Sequence, residues 1–299
     1  MSHTVLRIAG LRIAGLTIVA MIAFAANSVL ARLALGDNAI GPWSYTLLRL
    51  LSGAAVLAVI AGLRLGPAAL RKGNWAGGVA LLAYAGLFSL AYRALGAAAG
   101  ALILFAFVQL TMLGWGLKQG ERLSAVQACG LVLAVGALTW LLVPGVIAAD
   151  YGGPVSPPAW ASVAMAVSGI AWGAYSLIGR GAVTPTAVTA GNFWRASLIA
   201  LPLSLPVFLL LPETGPGALG IVCAIASGAI ASGLGYAVWY AALPGLKAMQ
   251  AGIAQLSVPA IAAAGGIAFL AEPLTWRFAI ATALVLTGVA LATLAKRRG

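Results

Sequence analysis

Between residues 13 and 294 the sequence alternates long apolar runs with short interruptions of Pro, Gly and charge, and nothing constrains its fold more. Runs near 13–35, 42–63, 74–92, 97–117 and 124–143 are followed, after the connector from Pro144 to Pro158, by runs near 158–179, 185–211, 217–241, 246–270 and 274–294. Each is close to the roughly 20 residues an α-helix needs to cross a bilayer. A soluble globule is excluded: 63% of the 299 residues are hydrophobic and 7% charged, against about 25% charged in an ordinary soluble domain. The expected fold is a single all-α membrane domain of ten transmembrane helices over 1–299. At about 21 residues per crossing the helices take up about 210 residues, which leaves no room for a separate soluble unit. The shortest break, Tyr92-Arg-Ala-Leu-Gly96, separates the third run from the fourth.

The net charge of +12 does not point to nucleic acid, because the cations stand at the ends of apolar runs and no nucleic-acid-binding pattern is present. With the N-terminus in the cytoplasm, Arg7, Arg12, Arg64, Arg71, Lys72, Lys118, Arg122, Arg180, Lys247, Lys296, Arg297 and Arg298 lie inside. Only Arg32, Arg93 and Arg277 lie outside. This bias places both termini in the cytoplasm of a multi-pass protein of the bacterial inner (plasma) membrane, with the lipid bilayer as its first partner. Arg7 and Arg12 ahead of the run from Ile13 to Leu35 have the form of a signal peptide, but the run exceeds a signal core and reads as a retained first span. Cys129 and Cys223 lie within apolar runs and suggest neither a disulfide nor a metal site.

The chain repeats itself. Phe24-Ala-Ala-Asn-Ser-Val-Leu-Ala-Arg32 matches Trp172-Gly-Ala-Tyr-Ser-Leu-Ile-Gly-Arg180 at an offset of 148 residues, and Tyr92-Arg-Ala-Leu95 matches Tyr240-Ala-Ala-Leu243 at the same offset. Glu121-Arg-Leu-Ser124 matches Glu272-Pro-Leu-Thr275 at 151. Five spans per copy is an odd number, so the C-terminal repeat, 158–294, enters the membrane from the side opposite to the N-terminal repeat, 13–143. Such inverted repeats enclose a midplane substrate site in secondary transporters.

Two five-span halves, each with a Glu-x-Leu-Ser/Thr step before its last span, resemble the drug/metabolite transporter superfamily, in particular its EamA-type exporters. Pro259, thirteen residues before Glu272, also fits that pattern, while Val108 stands at the equivalent place in the first half. The resemblance covers nearly the whole chain and is nearest to the bacterial exporters of aromatic and other neutral amino acids. It implies export of a small molecule by alternating access.

Polar and aromatic side chains at mid-span are the candidates for a substrate site, since a polar group facing lipid is costly. They are Asn27, Tyr84, Gln109, Trp172, Tyr175, Asn192, Tyr236, Trp239, Tyr240 and Gln255. Amides suit an ammonium and a carboxylate; Trp and Tyr faces offer stacking and attraction for a cation. Bilayer-interface anchoring and interhelical bonding are the alternatives for each. Arg49 and Arg195 lie within spans; as permanent cations they hold a substrate carboxylate, or else snorkel or bind backbone carbonyls. Gly73 and Gly77, Gly96 and Gly100, and Gly169 and Gly173 have the spacing that lets helices approach closely, and Pro202, Pro206 and Pro259 are expected to bend their spans.

No acid falls at the centre of a span and the only histidine is His3, so facilitated transport without an obligatory proton partner is expected. Glu121 and Glu272 at span edges read as helix-start caps. There is no phosphate-binding loop and no metal-ligand cluster, hence no cofactor, no metal and no enzyme activity are expected. An exporter of cationic drugs, nucleosides or sugars is the alternative within the same fold; a channel, a sensor or an integral-membrane enzyme is the alternative outside it. Oligomeric state is not encoded legibly.

Overall fold

The computed structural model describes residues 3–120, 124–147, 158–179, 182–210, 213–245, 254–255 and 257–294. Among the described residues there is no strand. The helices are α1 (His3–Leu35), α2 (Pro42–Leu65), α3 (Trp75–Ala91), α4 (Ala97–Lys118), α5 (Ala125–Ile147), α6 (Ala159–Ile178), α7 (Pro185–Leu210), α8 (Ala218–Ala242), α9 (Val258–Leu270) and α10 (Trp276–Leu294). A short 3-10 turn, Pro67–Arg71, follows α2. Six helices, α1, α2, α4, α6, α7 and α8, are long and apolar enough to cross a membrane; α3, α9 and the apolar stretches Ala125–Ala137 and Trp276–Gly288 are shorter. This is a multi-pass membrane protein.

Helix starts follow local chemistry. Pro42 opens α2, where its missing N–H would have had no partner. Asn74 caps α3 by accepting the Gly77 N–H at 2.6 Å. Ser124 and Gln127 cap α5 reciprocally, and the Thr275 hydroxyl accepts the Phe278 N–H at the start of α10. The break between α3 and α4 is real, with Tyr92 to Ala94 in a turn. In the ninth apolar run Ala254 and Gln255 are helical, Ser257 is in a turn and a further helix starts at Val258; 246–253 and 256 lie outside the described residues. Pro259 therefore opens α9 rather than bending it, because a first-turn proline loses no hydrogen bond. In α7, Pro202 and Pro206 both stand inside one helix.

Burial inverts the pattern of a soluble protein. Leu63, Leu209, Leu210 and Phe269 are largely exposed, whereas Asn27, Ser28, Thr46, Arg49, Ser168, Asn192, Ser227 and Ser232 are buried. Apolar side chains satisfy lipid; polar ones find partners only in the interior. The principal packing pairs are α3 and α8 each with α1 or α6 (α3 on α6, α8 on α1), α4 on α6, α9 on α1, α3 on α7, α8 on α2, and the pairs α2–α7, α4–α9 and α5–α10.

Small residues set the close approaches. Gly169 and Gly173 lie against Leu104, Phe107 and Thr111, which brings α6 onto α4. Gly288 lies against Gly130 and Ala134, between α10 and α5. The other two glycine pairs are not helix-packing motifs: Gly73, at φ +84°, precedes α3, and Gly96 caps α4 beside Glu272. Spacing within sequence cannot reveal that a helix begins between the two glycines.

Candidate functional site

A small chamber lies among α1, α3, α4, α6 and α8. Phe24, Asn27 and Ser28 line it from α1, Tyr84 and Phe88 from α3, Leu104 and Phe105 from α4, Trp172 from α6 and Tyr236 from α8. Its free volume is about 20 Å³, room for about one water molecule. Rings close it. Tyr84 and Trp172 have centroids 4.8 Å apart, Trp172 and Tyr236 5.2 Å, Phe24 and Tyr236 5.7 Å, and Tyr84 and Phe88 5.5 Å. These separations suit offset or edge contact, so the rings form one continuous chain from α1 through α8 and α6 to α3.

Beside the chamber lies a polar network that joins five helices. The Arg49 guanidinium on α2 sits 5.0 Å from the Tyr84 ring centre and 4.6 Å from that of Phe88. Arg49 Nη2 donates to the Tyr84 hydroxyl at 2.8 Å and Nε to Ser232 Oγ at 3.4 Å. The hydroxyls of Ser227 and Ser232 donate to Asn27 Oδ1 at 2.7 and 3.4 Å, and Ser168 on α6 donates to the Tyr84 carbonyl at 2.9 Å. Arg49 is 2% exposed, yet its Nη1 has no hydrogen-bond partner.

The middle of α8 explains how two serines reach one amide. Residues Ala226–Leu234 are wound as a π-helix, with the five-residue repeat Ala-Ser-Gly-Ala-Ile, Ala-Ser-Gly-Leu-Gly running from 226 to 235. In an α-helix, positions five apart point about 140° away from each other; the wider i→i+5 winding brings Ser227 and Ser232 to one side. Gly228 lets this segment touch α2, since a methyl there would collide with the Arg49 carbonyl and Ser52 Oγ. No apolar periodicity signals a π-helix. The doubled Ala-Ser-Gly was the one legible trace of it.

The structure brings only part of the expected set together. Asn27, Tyr84, Trp172 and Tyr236 line the chamber, and Arg49 adjoins it. Tyr175 stacks on Trp172 at 5.3 Å, and Trp239 meets the Phe24 edge at 6.0 Å, both one layer behind the lining. Asn192 sits instead against Gly73 and Gly77, its Oδ1 accepting the Asn74 N–H at 2.9 Å. Gln109 is half-buried on α4 outside the lining, Tyr240 packs at the margin of the core, and Gln255 lies ahead of α9 rather than at its centre. Phe24, Ser28, Phe88, Leu104 and Phe105 line the chamber without having been singled out as candidates. Phe88 stands four residues from Tyr84, one helical turn away, which was the available signal.

Arg195 takes the carbonyl-binding option. Its Nη1 donates to the Lys72 and Gly191 carbonyls at 2.7 and 2.9 Å, and its Nη2 to the Arg71 carbonyl at 3.2 Å. It ties the segment after α2 to α7.

Acids are also committed elsewhere. Glu213 accepts the Trp43 and Ser44 N–H groups at 2.6 and 3.0 Å and the Ser44 hydroxyl at 3.0 Å, capping α2 from the segment before α8. Glu272 caps a helix start as expected, but it is α4, through the Ala97 N–H at 2.8 Å, rather than its neighbour α10. The reason lies in the end of α9: Ala271 is left-handed at φ +51° and the Glu272 N–H returns to the Gly266 carbonyl at 3.1 Å, turning the carboxylate across to α4. Glu272 also pairs with Arg32 at 3.7 Å. Glu121 lies outside the described residues. Among the described residues no group of three His, Cys, Asp or Glu side chains could hold a metal ion.

Comparison with known proteins agrees with this architecture. The chain is 50% identical over 280 residues to an uncharacterized protein of Pseudomonas aeruginosa, covering 94% of this chain and 93% of the relative. A solved crystal structure superposes with a TM-score of 0.63 at 23% identity, over 94% of this chain and 99% of the other, so the fold is shared along nearly the whole length. Residues 159–294 match the EamA-like transporter family, within the drug/metabolite transporter superfamily, so the chain carries a domain of that family.

Proposed function

We propose that this protein is a secondary transporter that exports small metabolites by alternating access, with amino acids bearing apolar or aromatic side chains as the leading cargo. The observation that carries this reading is a ring-lined chamber built jointly by α1, α3 and α4 and by α6 and α8. We read the protein as ten spans in two inverted halves, α1–α5 and α6–α10. Exchanging each helix of one half with its counterpart in the other turns α3–α6 into α8–α1, α4–α6 into α9–α1 and α3–α7 into α8–α2, and all of these contacts are present. A pseudo-twofold of that kind gives two packings related by exchange, one open to each side. With about 20 Å³ free, the chamber is occluded, and cargo enters only when the helices part.

Proton coupling is not part of this reading. Asp37, Glu213 and Glu272, the described acids, all lie between helices, and the two glutamates are bound to backbone N–H groups. The cytoplasmic placement of both termini follows from the distribution of Lys and Arg. Counterflow of labelled substrate in proteoliposomes, screened across amino acids, nucleosides and cationic drugs, tests the proposal. Saturable exchange with no chemical product supports it; a conductance without saturation, or product formation, replaces it with a channel or an enzyme.

A further inference from the structure

Arg49 is a cation without a counter-ion. It is 98% buried by the 2% exposure of the whole residue, the one described ion pair joins Arg32 to Glu272, and its Nη1 donor is unpaired. Its charge cannot be relieved by deprotonation, because a guanidinium stays protonated at any accessible pH. Tyrosine and phenylalanine faces compensate it in part, but a buried cation of this kind gains most from an anion with two oxygens.

The rest of the chamber points the same way, because no carboxylate lines it: its polar groups are the hydroxyls of Ser28, Tyr84 and Tyr236, the Asn27 amide and the Trp172 indole N–H. Tyr84 accepts from Arg49, so its own hydroxyl hydrogen remains to be given. Asn27 Oδ1 is taken by two serine hydroxyls, which leaves its amide nitrogen as the uncommitted end. Trp172 has only an N–H. An ammonium gains most from an anion; none lines the chamber, and the unpaired Arg49 cation beside it, over the Tyr84 and Phe88 rings, repels a second positive charge.

We propose that the chamber takes its cargo by a carboxylate, bound at Arg49 Nη1 together with the Tyr84 hydroxyl, and draws no affinity from an ammonium. The cargo class is then the organic carboxylate with an apolar or aromatic body, of which an amino acid is one case and its deaminated analogue an equal one; net cations are rejected. This rests on the transporter reading and narrows it.

The test compares L-phenylalanine, 3-phenylpropionate and phenylethylamine as ligands of the purified full-length protein, by calorimetry and by inhibition of counterflow. They share a ring and differ only in which charges they carry. The expected result is that 3-phenylpropionate binds within about threefold of phenylalanine while phenylethylamine binds at least about tenfold more weakly, the difference one charge-assisted bidentate contact makes. Arg49→Gln is expected to weaken both acids by at least about tenfold and to leave the amine unchanged. If that variant does not fold, the three ligands on the unmodified protein decide. Equal binding of amine and acid, phenylalanine binding more than about tenfold tighter than 3-phenylpropionate, or Arg49→Gln binding the acids normally would each overturn the proposal and leave the transporter standing. Binding of none of the three would overturn this inference and the amino-acid reading together.

Discussion

Arg49 stands on α2 and Arg195 on α7, and the interior treats them differently. Arg195 is half-buried and spends its donors on three backbone carbonyls, so its charge is dispersed into the dipoles of the α2–α3 connection. Arg49 is fully buried, touches rings and hydroxyls, and keeps one nitrogen unpaired. Two cations of the same chemistry thus divide into a tether and, on our proposal, a binding group. What separates them is the supply of acceptors: backbone carbonyls engage both terminal nitrogens of Arg195, whereas the two hydroxyls beside Arg49 leave its Nη1 unpaired.

The comparison breaks most readily at Arg49. Arg49→Gln should lower counterflow of a carboxylate substrate by about a hundredfold, since truncating one side of a buried charged contact typically costs about 2–5 kcal/mol. Transport per folded molecule is the readout, with melting temperature as the check on folding. Gly228→Ala is expected to cost about 3 kcal/mol or shift α8 off α2, because its methyl meets the Arg49 carbonyl; denaturation in detergent reads the first and loss of transport the second. Arg195→Gln should do the reverse of Arg49→Gln, lowering stability by about 2 kcal/mol while transport per folded molecule persists. A drop in transport at unchanged stability would show that Arg195 is not the tether described.

Much of the fold was legible in the sequence, because hydrocarbon imposes a length on every crossing and each apolar run reports it. The break at Tyr92–Gly96 was visible for the same reason, whereas the caps that Ser124 and Thr275 make were not singled out, the capping role having been expected of Glu121 and Glu272. The site was less legible. Asn27, Tyr84, Trp172 and Tyr236 stand out as polar and aromatic groups in apolar runs and line the chamber, yet Asn192, Gln109 and Gln255 stand out equally and lie elsewhere. Depth along a helix can be counted from sequence; the direction a side chain faces around it depends on packing partners. The reach of Glu272 to α4 and the π winding of α8 are of the same kind, tertiary choices with no local period.

Two smaller effects sharpen the contrast between groups held by the fold and groups free to bind. Glu213→Gln should cost about 1 kcal/mol, since it keeps the cap on α2 but removes the charge that favours a helix start. Arg32→Gln should cost less, about 0.5 kcal/mol, because its pair with Glu272 is partly exposed and Glu272 keeps the Ala97 N–H. Both are measured as shifts in denaturant midpoint, and a loss of transport at either would assign that residue a role in the cycle.

The narrowness of the chamber has a consequence for water. Space for about one molecule cannot hold a file of hydrogen-bonded waters, so in this conformation the chamber itself is no wire for protons.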